Sequence, residues 1–396
     1  MSRVWIEDRA EHADYRERVA AAKKAKRTPP GRWRVRWYNP AGKLKTKTVG
    51  TVTEADAAKR DVERQLDSGT YRDPAAGKVK VRDVADAWFT AQVQLKDGSK
   101  NVYRDALDDY VLPQWGARAV ASVRFEEVAA WIAKLESEPG KKKASLGPAT
   151  IRMIHLVFLM VMEWAVKSGK IAVNPARDVP LPRLPMADHV YLTHVEVEVL
   201  ATAAGEYRPL ILFLAYTGLR WGEASALTVG RLDLEARRAH VVQQYTDNKG
   251  TLSLDTPKTH ERRQVPIPAF LVDELRPLVE GRDADALVFT APRGGPLWLR
   301  TWRPRYFNKA LAKAGLSGRK VTPHKLRHTA ASLAIAAGAD VLVIQKMLGH
   351  AKPSITLDTY GHLFPDRLDE VAEAVDARRA GALSGAAEKQ RTAEAA

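Results

Sequence analysis

Four short stretches in the second half of this 396-residue chain hold side chains able to work on a phosphodiester. In the first, Tyr216-Thr217-Gly218-Leu219-Arg220-Trp221-Gly222-Glu223, Gly218 ends an apolar helical run and Arg220 follows at once. The second, Thr256-Pro257-Lys258-Thr259, sets a lysine at a turn between two strand-like segments. The third is Thr322-Pro323-His324-Lys325-Leu326-Arg327-His328-Thr329; if helical, it puts His324 and Arg327 on one face. The fourth is Leu348-Gly349-His350, followed by Leu357-Asp358-Thr359-Tyr360-Gly361-His362. Two guanidiniums can clamp non-bridging phosphate oxygens and hold the added charge of a pentacoordinate transition state. An imidazole can exchange a proton with a nucleophile or donate to the phosphate. A lysine made more acidic by nearby arginines can protonate a departing 5′ oxygen. A phenol can attack phosphorus and keep it as a covalent ester, conserving bond energy so that rejoining needs no ATP. With arginines supplying the charge, this chemistry requires neither cofactor nor metal.

Taken singly, each residue has an ordinary reading. Arg220 suits a helix-end salt bridge, His324 with Arg327 a helix-start cation pair, His350 a packed imidazole and Tyr360 a half-buried tyrosine. Lys258 competes with Lys249 on the adjacent turn. His328 and His362 are read as structural. Ordered sets of motifs are far more specific than their parts. This set resembles the signature boxes of tyrosine recombinases, the lambda-integrase-like family related in fold to type IB topoisomerases. The matching elements are Thr-Gly-Leu-Arg-x-Gly-Glu, Pro-Lys-Thr with Arg-x-Val-Pro downstream, His-x-Leu-Arg-His-Thr, Leu-Gly-His and Leu-Asp-Thr-Tyr, over about residues 192–365. One departure is His260-Glu261, where the family commonly has small hydroxyl residues.

The resemblance implies that Arg220, Lys258, His324, Arg327 and His350 activate the phosphate, that Tyr360 is the nucleophile and that Glu223 holds the arginines. It implies cleavage and rejoining of double-stranded DNA through a 3′-phosphotyrosyl intermediate, by a homotetramer acting on core-type and arm-type sites. A directionality factor and a DNA-bending protein are possible partners. A tyrosine transposase, a chromosome-resolving recombinase and a catalytically inactive DNA-binding relative are the alternatives. A metallohydrolase built on His324, His328, His350 and His362 lacks carboxylates at ligand spacing.

These residues must be positioned by several folded units, and the pattern implies a multidomain chain, mainly α with small β-sheets. Residues 23–47 carry ten Lys or Arg and no acid. Within them Arg32-Trp33-Arg34-Val35-Arg36-Trp37-Tyr38 alternates basic and apolar residues, as in a strand with one basic and one buried face. Asn39-Pro40-Ala41-Gly42 turns the chain, residues 44–49 return as the paired strand, and Thr53 is placed as the cap of a helix ending before Gly69. This sheet plus helix, 1–72, resembles an arm-type DNA-binding domain, with Arg32, Arg34, Arg36, Lys43 and Lys45 as DNA contacts.

Four helical periods follow in 78–173, a helical (SAM-like) core-binding domain by resemblance; Lys141, Lys142 and Lys143 in its last loop are set to touch phosphates. Val102, Tyr103, Ala106, Leu107 and Tyr110 are read as one apolar face. The Pro-rich stretch 174–185 reads as an extended linker. An α+β catalytic domain occupies 186–378, with a strand at 239–245 and a flexible tail at 379–396. Thr193 and Glu196 form a capping box at the start of its first helix.

The composition agrees. With 63 Lys plus Arg against 47 Asp plus Glu, the formal charge is +16, which favours a polyanionic partner. Zero cysteines exclude disulfides, thiol chemistry and Cys-ligated zinc. The longest apolar stretch, about 153–162, falls short of a bilayer span and the start lacks a signal-peptide core, so a cytoplasmic, nucleoid-associated protein without membrane contact is expected.

Overall fold

The computed structural model describes residues 4–40, 42–69, 71–73, 75–137, 145–185, 190–256, 262–364 and 372–383. The chain forms two compact units, 1–186 and 187–396. Both are helix-rich with small antiparallel sheets.

The first unit begins with a three-stranded antiparallel sheet, β1 (Val4–Asp8), β2 (Trp33–Tyr38) and β3 (Leu44–Val49), in that order. Helix α1 (Ala13–Lys24) joins β1 to β2, and α2 (Val52–Asp67) follows β3. Strand β1 and helix α1 go beyond the sequence expectation, because Val4-Trp5-Ile6 is only a short apolar run among charges and α1 buries none of its residues. The cap of α2 is Thr51 rather than Thr53: the Thr51 hydroxyl accepts from the Glu54 N–H, and the Glu54 carboxylate accepts in return from the Thr51 N–H.

Antiparallel partners project to the same face, so the register sorts the basic residues. Ile6, Val35 and Lys47 stand in one row and Val4, Trp37 and Lys45 in another, on the side where Val4, Val35 and Trp37 pack against Ala55, Ala58 and Val62 of α2. Arg34 and Arg36 lie on the opposite face with Glu7 and Trp5. Strand β2 thus has the expected basic face, Lys45 and Lys47 of β3 project from the other side of the sheet, and the charge is partly neutralised. Glu7 pairs with Arg36 at 3.3 Å and Arg34 at 3.6 Å, Asp8 with Arg32 at 2.6 Å, and Asp73 with Lys45. Lys43 is exposed beside the turn.

The helical part of this unit contains α3 (Val81–Thr90), α4 (Asp97–Ala106), a π-helical stretch at Leu107–Val111, α5 (Leu112–Trp115), α6 (Phe125–Ser137) and α7 (Pro148–Lys167). Trp115 stacks on Phe158 with centroids 5.4 Å apart and meets Trp131 edge-on at 5.7 Å, which locks α5, α6 and α7 together. Val102 is 47% exposed, so it stands off the buried stripe assigned to it. Helix α7 is long and apolar enough to cross a membrane by length and composition. Its Ile151, Ile154, Val157, Phe158, Val161 and Met162 are buried in the bundle. The chain after it packs back on α7: Asn174 Nδ2 donates to Leu159 O at 3.0 Å, the His155 ring meets Ala176 O at 2.8 Å, and Arg152 donates to Pro182 O. Lys141, Lys142 and Lys143 lie outside the described residues.

The second unit runs α8 (His194–Ala203), α9 (Arg208–Thr217), α10 (Trp221–Ser225), β4 (Leu232–Asp233), β5 (Arg238–Val241), β6 (Gln244–Asn248), β7 (Thr251–Asp255), β8 (Arg263–Pro266), α11 (Ala269–Val279), α12 (Leu299–Trp302), α13 (Asn308–Lys313), α14 (Pro323–Ala336), α15 (Val341–Leu348) and α16 (Pro353–Tyr360). The capping box of Thr193 and Glu196 opens α8. The single strand expected at 239–245 is two: β5 pairs with β4 and β8, while β6 pairs only with β7 as a hairpin. The break falls at Val242-Gln243, where the Gln243 side chain donates to Ala226 O at 2.8 Å. Helix α9 is buried nearly all round, from Leu210 to Ala215, and α14 lies against it. Thr329 of α14 ties the entry of the unit, accepting from the Leu192 N–H at 3.1 Å.

Candidate active site

Three helix ends meet where the candidate residues gather. Helix α9 stops at Gly218, in the left-handed region at φ 66°, and α15 stops at Gly349, at φ 64°. Each glycine exposes a carbonyl that a candidate arginine uses. A Cβ on Gly218 would stand 2.7 Å from Leu348 Cδ2 and 3.3 Å from the Ala330 Cβ. Gly218→Ala combines a left-handed alanine with overpacking, so it should destabilise the unit by about 2–4 kcal/mol. A urea melt of the variant checks this; an unchanged midpoint would show that the junction yields freely.

Arg327 on α14 is buried, and its two terminal nitrogens donate to Gly218 O and Leu348 O, each at 2.6 Å. Burial, then Arg220 and Arg263, pull its acidity above that of a free guanidinium, and it remains a cation at neutral pH. Arg220 precedes α10 and donates through Nη1 to Glu223 Oε1 at 2.9 Å and through Nη2 to Gly349 O at 3.3 Å. Glu223 is buried and also accepts two bonds from Arg263 of β8, at 2.9 and 2.7 Å, while Arg263 Nε donates to Met347 O. Burial alone would raise the Glu223 carboxyl; Arg263 and then Arg220 overcome it and hold it down to about 2. One carboxylate therefore fixes two guanidiniums, and its neighbourhood carries net positive charge from three.

Tyr360, at the end of α16, is 1% exposed. Its hydroxyl meets His328 Nδ1 at 2.8 Å. The His350 ring lies parallel to the phenol, centroids 6.4 Å apart, and is fixed by a 2.9 Å hydrogen bond between Nδ1 and Thr356 Oγ1. Burial pushes the phenol up to about 12 against the opposing field of Arg327, with Tyr191 adding to the rise. Burial and then Arg327, Arg220 and Arg263 push His350 down to about 4, so it is neutral at pH 7.

The structure thus gathers Arg220, Glu223, Arg327, His350 and Tyr360. His324 and Arg327 lie three residues apart on α14, as expected, but at different depths. His324 is exposed beside Arg220, Gln244 and Tyr245, whereas Arg327 turns into the core. The helical partner of His324 is His328, one turn on, with ring centroids 5.1 Å apart. Lys258 lies outside the described residues. Lys249 sits exposed in the β6–β7 turn at φ 50°. Two further residues belong to the site, Arg263 and His328. In the sequence Arg263 is only the first residue of Arg-x-Val-Pro, and the signal for His328 is its four-residue interval from His324. His362, read as structural, faces Tyr191 with a hydrogen bond of 3.2 Å. Among the described residues no cluster of three or more His, Asp or Glu side chains is arranged to hold a metal ion.

A buried phenol between two imidazoles, at the edge of a three-guanidinium cluster, defines a site suited to a phosphate-like anion. Comparisons with known proteins identify the family. The phage integrase family model matches residues 191–367. Tyrosine recombinase XerC of Corynebacterium efficiens is 30% identical over 253 residues, which cover 61% of this chain and 74% of that protein. A prophage phiRv2 integrase of Mycobacterium tuberculosis is 26% identical over 362 residues, 86% of this chain and 92% of that protein. The Tn1549 transposon integrase in complex with a circular intermediate DNA superposes with a TM-score of 0.63 at 22% identity, over 76% of this chain and 99% of that one. A lambda integrase tetramer bound to a Holliday junction gives 0.54 at 17%, over 81% and 94%. This chain belongs to the tyrosine recombinase, or phage integrase, family.

Proposed function

We propose that this recombinase integrates and excises a mobile element by transferring a DNA 3′ phosphate to Tyr360. The observation that carries the reading is the Tyr360 hydroxyl held beside His328 and His350, next to Arg327. Arg220, the remaining N–H groups of Arg327, neutral His350 and exposed His324 receive the phosphate oxygens, and the fixed cations stabilise the charge that develops at phosphorus. Glu223 keeps the arginines oriented before DNA arrives. Lys258, in the segment joining β7 to β8, protonates the departing 5′ oxygen. That hydroxyl then attacks the partner strand's ester, and two such rounds pass through a Holliday junction. Neither metal nor ATP enters these steps.

The domain division 1–72, 78–173 and 186–378 with a tail at 379–396, four protomers on two duplexes, and arm-type contacts from Arg32, Arg34, Arg36, Lys43 and Lys45 belong to the same proposal. So do core-site phosphate contacts from Lys141, Lys142 and Lys143, and the accessory directionality and bending proteins. The match to the mycobacterial prophage integrase is long enough to reach into the N-terminal sheet domain, which supports a mobile-element integrase over a chromosome-resolving enzyme.

The test is a nicked duplex whose short 5′ fragment diffuses away after cleavage, carrying a sequence that the full chain enriches from a random pool. It should accumulate a covalent protein–DNA adduct, and its absence would remove the proposal. Lys258→Ala should slow cleavage of a normal 5′-oxygen substrate by about 10²–10⁴-fold and a 5′-thiolate substrate far less. Equal losses on both would return the lysine to a structural part.

A further inference from the structure

The group in contact with the nucleophile's hydroxyl is His328. His328 Nδ1 lies 2.8 Å from the Tyr360 hydroxyl, a normal hydrogen-bond length, and the rings are tilted at 58° with centroids 5.6 Å apart. An imidazole carrying its proton on Nε2 accepts the phenolic O–H at Nδ1. We infer that His328 is a catalytic residue: it takes the proton of Tyr360 as the phenolic oxygen attacks phosphorus, and returns it when that oxygen leaves. The inference rests on Tyr360 being the nucleophile.

Three further observations bear on it. The phenol is raised to about 12, so at neutral pH it attacks only if a base relieves it of its proton. His350, the other nearby imidazole, lies parallel to the ring with centroids 6.4 Å apart, and its Nδ1 is engaged with Thr356. His324, on the same helix as His328 and one turn earlier, is exposed and edge-to-face with it at 5.1 Å. The two rings thus run from the buried hydroxyl, through half-buried His328, to exposed His324. Residue 328 is held in register by the neighbouring clasp, since Arg327 is bonded to Gly218 and Leu348 and Thr329 to Leu192 and Lys325. A base set on a helix between two such anchors is well placed to keep its geometry.

The step balances. The Tyr360 oxygen–phosphorus bond forms as the phosphorus–O5′ bond breaks, the phenolic proton goes to His328 Nδ1, and the leaving oxygen takes its proton from a separate donor. In rejoining, the 5′ hydroxyl attacks and gives its proton back to that same donor, the phosphorus–phenolic oxygen bond breaks, and the His328 imidazolium returns its proton to the phenolic oxygen. No net proton or electron is consumed.

The test compares two reactions that differ in their need for this proton. Single-turnover cleavage of the selected nicked duplex is measured for the full-length protein and for His328→Gln, which keeps a hydrogen-bond acceptor but cannot take the proton. Joining is measured separately, in a Tyr360→Phe background, with a strand ending in a 3′-(p-nitrophenyl) phosphate. Its leaving group departs as the anion and needs no proton. The expected result is a loss of about 10²–10⁴-fold in cleavage for His328→Gln, with joining of the p-nitrophenyl ester within a few-fold of the background. Equal losses in both reactions would make His328 a structural residue, and cleavage at the unsubstituted rate would remove it from the chemistry; either overturns the inference while leaving Tyr360 in place. If the unsubstituted protein forms no adduct, the nucleophile assignment fails first and the role of His328 falls with it. His328→Asn, shorter but also unable to carry the proton, is the second variant should His328→Gln fail to fold.

Discussion

Tyr360→Phe should abolish the covalent protein–DNA adduct, lowering cleavage by about 10⁴-fold or more while leaving the protein folded and able to bind DNA. The substitution removes one oxygen from a side chain whose ring is otherwise enclosed in the core of the second unit. The apolar contacts of that ring remain, so the fold loses little beyond one hydrogen bond to His328, worth about 1 kcal/mol. The chemistry loses its nucleophile entirely. Band shifts, melting curves and adduct formation on the nicked duplex therefore separate cleanly. An adduct that persists in Tyr360→Phe would place the attacking group elsewhere. Joint loss of binding and melting temperature would instead show that the hydroxyl is structural.

Glu223→Ala should have the largest effect on stability among the site residues. The carboxylate is buried and takes bonds from both Arg220 and Arg263, with Arg327 close by. Removing it leaves partly buried guanidiniums without their counter-charge, which typically costs about 3–5 kcal/mol. The pH dependence has a definite sign. The carboxyl is depressed to about 2 from an ordinary 4.5. Its contribution, about 3 kcal/mol, is therefore complete above 4.5 and is lost as pH falls from there towards 2. Unfolding free energies from urea melts between pH 7 and pH 3 should fall on the acid side for the unsubstituted protein and fall less for Glu223→Gln. Parallel curves for the two would show that this carboxylate does not govern the acid limb. Activity should drop with either substitution: alanine removes both oxygens that orient the two arginines, and glutamine replaces one of them by an N–H donor facing a guanidinium.

Several parts of this arrangement are legible in the sequence. The alternation Trp33-Arg34-Val35-Arg36-Trp37 specified a strand, and the side chains did divide between faces. Thr193 with Glu196 specified a helix start, and Gly218 a helix stop. These features are local: caps, left-handed glycines and two-residue periods depend on neighbours a few positions away. What failed also has a local explanation. Thr51 and Thr53 are both able to cap, and the choice was made by the reciprocal bond with Glu54. The apparent strand at 239–245 alternates well enough, yet its two halves answer to different partners.

The sequence by itself determined the inventory: a family-specific set of arginines, histidines and one tyrosine, the helices and strands that carry them, and a surplus of positive charge. Only the tertiary structure decided which of those side chains meet. Glu223 joins Arg220, three residues away, to Arg263, forty residues away, and α14 turns Arg327 inward while leaving His324 outside. In the same way β1 brings Glu7 and Asp8 across to arginines whose own stretch holds no acid. Hydrogen bonds and ion pairs act over a few ångströms in space, and chain distance does not report that separation. The four-residue interval between His324 and His328 hinted at a pair of imidazoles, but that His328 meets the Tyr360 hydroxyl is decided by the fold.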